Sequence, residues 1–178
     1  AINIMRRIIQ DTGVEVIHLG HNRSVQEIVD AAIEEDVQGV AVSSYQGGHI
    51  EFFKYLVDLL RERGAPHVKV FGGGGGVIVL EEIRGLEAYG VAKIYSPEDG
   101  ARMGLQGMIN HLVTTLDFST VADFNFSLDG LAPENKRLVA NLISAAEMAK
   151  AHQNGHLAKL RAEFARRIGS RKVPVIGI

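Results

Sequence analysis

An α/β fold, a parallel sheet wound with helices on both faces, is predicted by three observations. Strand-like apolar runs alternate with helical patterns over residues 1–116. The runs are short and continuous enough to be covered on both sides. They end in small, polar, glycine-rich stretches, where open parallel sheets keep their ligand crevice.

The elements follow in chain order. Residues 1–12 place Ile2, Met5, Ile8 and Ile9 on one helical face, and Gly13 supplies the glycine that follows a helix. "VEVIHL" (14–19) reads as a strand. "SVQEIVDAAIEED" (24–36) opens with Ser24 and Glu27 in capping-box spacing and turns Val25, Ile28, Ala31 and Ala32 inward. "VQGVAVSS" (37–44) is an apolar strand, and "EFFKYLVDLLRERG" (51–64) a helix with Phe53, Leu56, Val57 and Leu60 inward. "HVKVF" (67–71) is a strand, "LEEIRGLEAYG" (80–90) a helix and "VAKIYS" (91–96) a strand. The helix over 98–116 has Ser96 and Pro97 at its N-cap and first turn.

The chain enters on a helix, whereas a doubly wound unit normally begins with a strand, often the central one. The expectation is that the first strand lies upstream, that this chain is a piece of a longer protein, and that the isolated piece folds poorly. From residue 117 the pattern changes. "DFSTVADFNFSLDGLAP" reads as an ordered loop pinned by Phe118, Phe124 and Phe126. A helical pair, or one helix broken near Asn154 and Gly155, follows, and "KVPVIGI" (173–178, with its lysine at 172) ends the chain as a strand. The domain division is therefore 1–116, a loop and helical linker over 117–172, and the first strand of a further domain over 173–178.

Composition narrows the function classes. The chain has 178 residues, 46% hydrophobic and 22% charged, with net charge -2, which suits one globular domain and an appendage. That balance carries no broad basic face, so no nucleic-acid partner is expected. The absence of cysteine excludes disulfides and thiolate metal sites and suits a reducing cytoplasm. No run of eighteen apolar residues is present, and the arginines of "AINIMRRIIQ" lie inside an amphipathic pattern, so no membrane association is expected. No nucleophile, base and oxyanion donor come together in the pattern, and the chain by itself is not expected to be catalytic.

The strand ends carry the binding chemistry: His18-Leu19-Gly20, Ser43 to Gly48, Gly72 to Gly76, and Tyr95-Ser96-Pro97. Such a lining lets a flat ligand lie against bare backbone while hydroxyls orient it. A phosphate cradle fits poorly, because the glycine run lacks the Lys-Ser/Thr of a P-loop and no G-x-G-x-x-G is followed by an acidic ribose partner. A plain flexible loop is the bland reading of the same glycines. His18 and His21 form two possible metal ligands where a zinc site needs three or four; strand-end hydrogen bonding is the simpler role. His49 reads as a local cap, and Arg6, Arg7, Arg61, Arg63, Arg166, Arg167 and Arg171 as solvated faces.

"AVSSYQGGH", with "VFGGGGG" about two dozen residues later, resembles the S-x-L and G-G elements of the cobalamin-binding domains of acyl-CoA mutases. The likeness runs over about residues 1–113 and is strongest to the fused isobutyryl-CoA mutases, in which a cobalamin domain precedes a G-protein chaperone domain and a mutase barrel. It implies a flavodoxin-like (Rossmann-like) fold of the cobalamin-binding type. It also implies adenosylcobalamin as cofactor, held with its dimethylbenzimidazole tail off the cobalt and buried, for the interconversion of isobutyryl-CoA and n-butyryl-CoA. GTP and Mg2+ are implied at the G-protein domain, with "KVPVIGI" resembling the strand that leads into its P-loop, and a homodimer is implied for the whole protein.

By position, the resemblance assigns Ser43 to the buried tail and Gly72 and Gly73 to its passage, with Gly75 and Gly76 as substitutes if the register shifts. Gln46, Gly47 and Gly48 face the corrin, Ser44 and Tyr45 belong to the same cofactor site, and Tyr95, Ser96 and Pro97 close the far side. Two departures stand out. The D-x-H-x-x-G element is absent, its last position aligning with Ala1, so the cobalt-binding histidine is expected three residues upstream and no metal ligand is assigned within the chain. Tyr45 replaces the usual leucine of S-x-L. A corrinoid carrier for methyl transfer shares fold and signature but has its helical bundle before the domain; a flavodoxin- or receiver-like signalling module would want an acidic cluster that 43–48 and 72–76 lack.

Overall fold

A computed structural model describes residues 2–125, 127–151 and 156–169. The chain divides into two compact units, Ala1–Thr120 and Val121–Ile178. In the first, β1 (Gly39–Ser43), β2 (Lys69–Gly73) and β3 (Lys93–Tyr95) form a parallel sheet in the order β1-β2-β3. The connections run through α3 (His49–Glu62) and α4 (Leu80–Tyr89), while α1 (Ile2–Asp11) and α2 (Val25–Glu34) precede the sheet and α5 (Pro97–Thr115) follows it. No helix among the described residues is long and apolar enough to cross a membrane.

Local chemistry explains the helix starts. The Ser24 hydroxyl accepts the Glu27 N–H at 3.2 Å while the Glu27 carboxylate accepts the Ser24 N–H at 2.8 Å, a reciprocal cap of about 1 kcal/mol. Ser96 and Asp99 repeat the arrangement at α5, with Pro97 in the first turn. Between sheet and helices, Val25, Ile28, Val29 and Ala32 of α2 pack with Phe53, Leu56, Val57 and Leu60 of α3, Ile83 and Leu86 of α4, and Val70 and Ile94 of the sheet. Phe53 and Leu56 are wholly buried, and each such side chain contributes about 1.5–3 kcal/mol of transfer free energy.

Several expected elements differ. Residues 14–20 form no strand: an extended segment becomes one only by pairing, and no described strand lies beside it. Leu19 packs on the core while Ile17 stays exposed. The strand expected over 67–71 instead runs Lys69–Gly73, into the glycines, because Val42, Ser43, Ile94 and Tyr95 hold Gly72 and Gly73 in register on either side. The strand expected over 91–96 is only Lys93–Tyr95, and α3 begins at His49. α1 buries none of its residues fully, and Ile2 is exposed. α5 is broken at Gly104 (φ 66°, ψ 173°), a conformation that glycine alone adopts cheaply.

In the second unit, α6 (Lys136–Ala151) and α7 (His156–Ile168) pack through Leu142 and Leu160 around Leu128, with Phe124, Leu138 and Phe164 against them. Arg167 donates to the Leu128 carbonyl at 2.6 Å and to the Asp129 carboxylate at 2.8 Å, tying α7 to the loop before α6. Phe118 is half-buried in the first unit, its carbonyl accepting from the Gln38 amide at 3.3 Å. Phe126, the break at Asn154 and Gly155, Arg171 and the strand expected over 173–178 lie outside the described residues.

Candidate functional site

Sheet register brings three of the expected residues into one row. Ser43 pairs with Gly73 and Gly73 with Tyr95, so in a parallel sheet all three project from the same face. The preceding row, Val42–Gly72–Ile94, projects from the opposite face, into the core.

Each glycine of the run answers a different demand. A Cβ on Gly72 would meet Ile94 Cδ1, and Phe53 Cζ at 2.5 Å, so this glycine makes room for the core. The missing side chain of Gly72 thus belongs to the far face of the sheet. A Cβ on Gly73 would have nothing nearer than the Tyr95 carbonyl oxygen at 3.8 Å, which leaves an unfilled gap between Ser43 and Tyr95. A Cβ on Gly74 would strike the Ser44 carbonyl oxygen, so the two loops run backbone against backbone there. Gly75 and Gly76 have φ of 56° and 94° and make the turn, the first under the Tyr45 ring and the second beside Pro97.

Tyr95 is fixed from three sides. Its hydroxyl donates to the Met108 carbonyl at 3.1 Å and lies 2.8 Å from His111 Nδ1, and its ring stacks on Phe71 with centroids 6.4 Å apart. Burial, with the nearby Asp99 charge, pushes its phenol up to about 12, so it stays a neutral wall. Ser96 is committed to the cap of α5 and positions Pro97. For Asp99, burial pulls upward, but the Ser96 N–H and Lys93 more than offset it and hold the carboxyl below its ordinary range.

On the β1 side, Ser43 and Ser44 are half-buried, while Tyr45, Gln46, Gly47 and Gly48 are exposed. A hollow of about 410 Å³ opens beside Tyr45, lined by Ile2, Asn3, His18, Gly20 and His21. His18 and His21 thus line one space, yet no group of three or more His, Cys, Asp or Glu among the described residues is placed to hold a metal. His49 makes the local contact that its position suggests, with Nδ1 3.4 Å from the Gln46 carbonyl oxygen, and a longer-range one besides. It is buried, with Nε2 3.1 Å from Glu82 on α4. Sequence reasoning missed Glu82 and His111, because contacts 33 and 16 residues apart leave no local pattern. Among the arginines, Arg6 departs from the expected solvated face, its Nε being buried without a hydrogen-bond partner among the described residues, while Arg61 stays exposed as it donates to the Tyr89 carbonyl at 3.1 Å.

A row of hydroxyl, bare backbone and aromatic wall suits a planar heteroaromatic group. Residues 1–99 match the model of the B12 binding domain. The chain is 54% identical over its whole length to a fused isobutyryl-CoA mutase of Geobacillus kaustophilus and 56% identical to one of Cupriavidus metallidurans, spanning 17% and 16% of those proteins. Over 93 residues, 52% of this chain and 67% of the other, it is 33% identical to the 2-hydroxyisobutanoyl-CoA mutase small subunit of Aquincola tertiaricarbonis. With more than half of its residues matched, the chain belongs to the B12-binding domain family.

Proposed function

We propose that this chain is the cobalamin module of a fused radical acyl-CoA mutase, one that interconverts isobutyryl-CoA and n-butyryl-CoA. The observation that carries the reading is the gap at Gly73. A planar base is about 3.5 Å thick, the optimal contact distance between carbon atoms, and a side chain at this one position would fill the space between Ser43 and Tyr95. Full-length likeness to fused isobutyryl-CoA mutases supports the choice of enzyme.

In this reading the dimethylbenzimidazole tail of adenosylcobalamin leaves the cobalt and lies along the Ser43–Gly73–Tyr95 row. The Ser43 hydroxyl hydrogen-bonds it and Tyr95 bounds it. Ser96 and Pro97 close the far side, while Ser44, Tyr45 and the Gln46–Gly48 loop face the corrin. When bound, the cofactor supplies the radical chemistry of the carbon-skeleton rearrangement. This chain's residues bind and orient. The cobalt-ligating histidine, the mutase barrel and a G-protein domain using GTP and Mg2+ belong to other parts of the same cytoplasmic, homodimeric polypeptide.

The full-length polypeptide tests this directly. Supplied with adenosylcobalamin, it should convert isobutyryl-CoA to n-butyryl-CoA, and the bound cofactor should show the absorption spectrum of a base-off, histidine-ligated cobalamin. Binding without isomerisation, accompanied by methyl transfer, would replace the mutase with a corrinoid carrier.

A further inference from the structure

Among the described residues only His49 and Asp99 are polar or charged and buried, and Asp99 is accounted for by the α5 cap. His49 is 8% exposed at the first turn of α3, directly after the exposed Gln46–Gly48 stretch. An imidazole is a costly way to fill such a position unless its nitrogens are paired. Here they are. Nε2 lies 3.1 Å from Glu82 Oε2, and Nδ1 makes a longer contact of 3.4 Å with the Gln46 carbonyl oxygen.

Glu82 faces both ways. The oxygen that accepts from His49 also accepts the Val79 N–H at 2.9 Å, closing the loop that carries the glycine run onto α4. The Val79 N–H first, and His49 second, hold its carboxyl below the ordinary range, so it is a full negative acceptor at neutral pH. The chain of contacts therefore reads Gln46 carbonyl, His49 ring, Glu82 carboxylate, Val79 N–H. It joins the loop leaving β1 to the loop leaving β2. Beyond the Ser44 N–H bond to the Gly73 carbonyl at 2.8 Å, this pair is the polar link between those two loops among the described residues.

We propose that His49 and Glu82 are a positioning bracket: they lock the Gln46–Gly48 loop to the glycine-run loop and so set the shape of the surface on which the corrin rests. The proposal depends on the cobalamin reading above. Neither residue touches the cofactor in it; both act through the loops. Gly48 has a φ of 82° and Gly47 has open space around it, so the loop has little of its own to hold it.

The test uses the full-length polypeptide, with adenosylcobalamin affinity read by absorbance titration and stability by urea unfolding. His49→Leu keeps the buried volume and removes both contacts, so it should still unfold cooperatively, at a lowered midpoint, and bind about tenfold more weakly. Glu82→Gln retains a carbonyl oxygen for both N–H groups and should bind within about threefold of the parent, well under the 1.4 kcal/mol of a tenfold change. Adding Glu82→Gln to His49→Leu should cost little further affinity, since the bracket is already broken and the Val79 N–H keeps an acceptor. Parent-like binding by His49→Leu overturns the bracket, as does a loss in Glu82→Gln as large as that in His49→Leu. If His49→Leu does not fold, His49→Gln decides: its amide still donates to Glu82, so binding within about threefold supports the bracket and a tenfold loss overturns it. A parent that fails to bind cobalamin removes the cobalamin reading and this proposal together, whereas a binding parent with unaffected variants removes the bracket alone.

Discussion

The two faces of the sheet use neighbouring glycines for opposite ends. On one face, Gly72 lies between Val42 and Ile94 and its missing side chain is occupied by Phe53 and Ile94. On the other, Gly73 lies between Ser43 and Tyr95 and its missing side chain is replaced by nothing. One glycine makes room for a core, and the next leaves open space beside it. Strand alternation alone separates the two roles, since successive residues point to opposite faces.

Substitution can break that contrast. Gly72→Val drives two methyls into Phe53 and Ile94 and should cost about 3 kcal/mol, the upper part of the range for overpacked cores, or prevent folding. Chemical denaturation reads it, and a parent-like midpoint would show that the far face is loose. Gly73→Val should leave the unfolding midpoint within about 1 kcal/mol of the parent's while lowering cobalamin affinity more than tenfold, because valine is at ease in a strand and only the slot is lost. A Gly73→Val protein that folds and binds like the parent makes the two faces equivalent. Smallest in effect, Ser43→Ala should weaken binding by about 0.5–1.5 kcal/mol, the net worth of one hydrogen bond. Unchanged affinity on titration takes Ser43 out of the site.

How much of this was legible in the sequence follows from the range of the forces involved. Capping at Ser24 and Ser96, the inward face of α3 and the alternation of helix and strand are local, and each is visible in a few residues. The direction of Gly72 against Gly73 was not, because "GGGGG" has no side-chain pattern from which to read a register; only the pairing with Ser43 and Tyr95 fixes it. Residues 14–19 have the composition of a strand but no partner in the described sheet, and propensity without pairing makes no ladder. The His49–Glu82 contact joins helices 33 residues apart, so the histidine looked like an ordinary cap. The break at Gly104 was hidden because a single glycine inside a helical pattern is usually tolerated.

β1 lies at one side of the described sheet and pairs only with β2. Its sequence, Gly-Val-Ala-Val-Ser, contains no lysine, proline or other feature by which proteins blunt such a rim. Any extended chain of similar character can add to it through main-chain hydrogen bonds, whether a segment of the same polypeptide or a neighbouring copy. What covers these five residues therefore bears on self-association alongside the net charge of -2. Left bare, they are a nucleus for self-association.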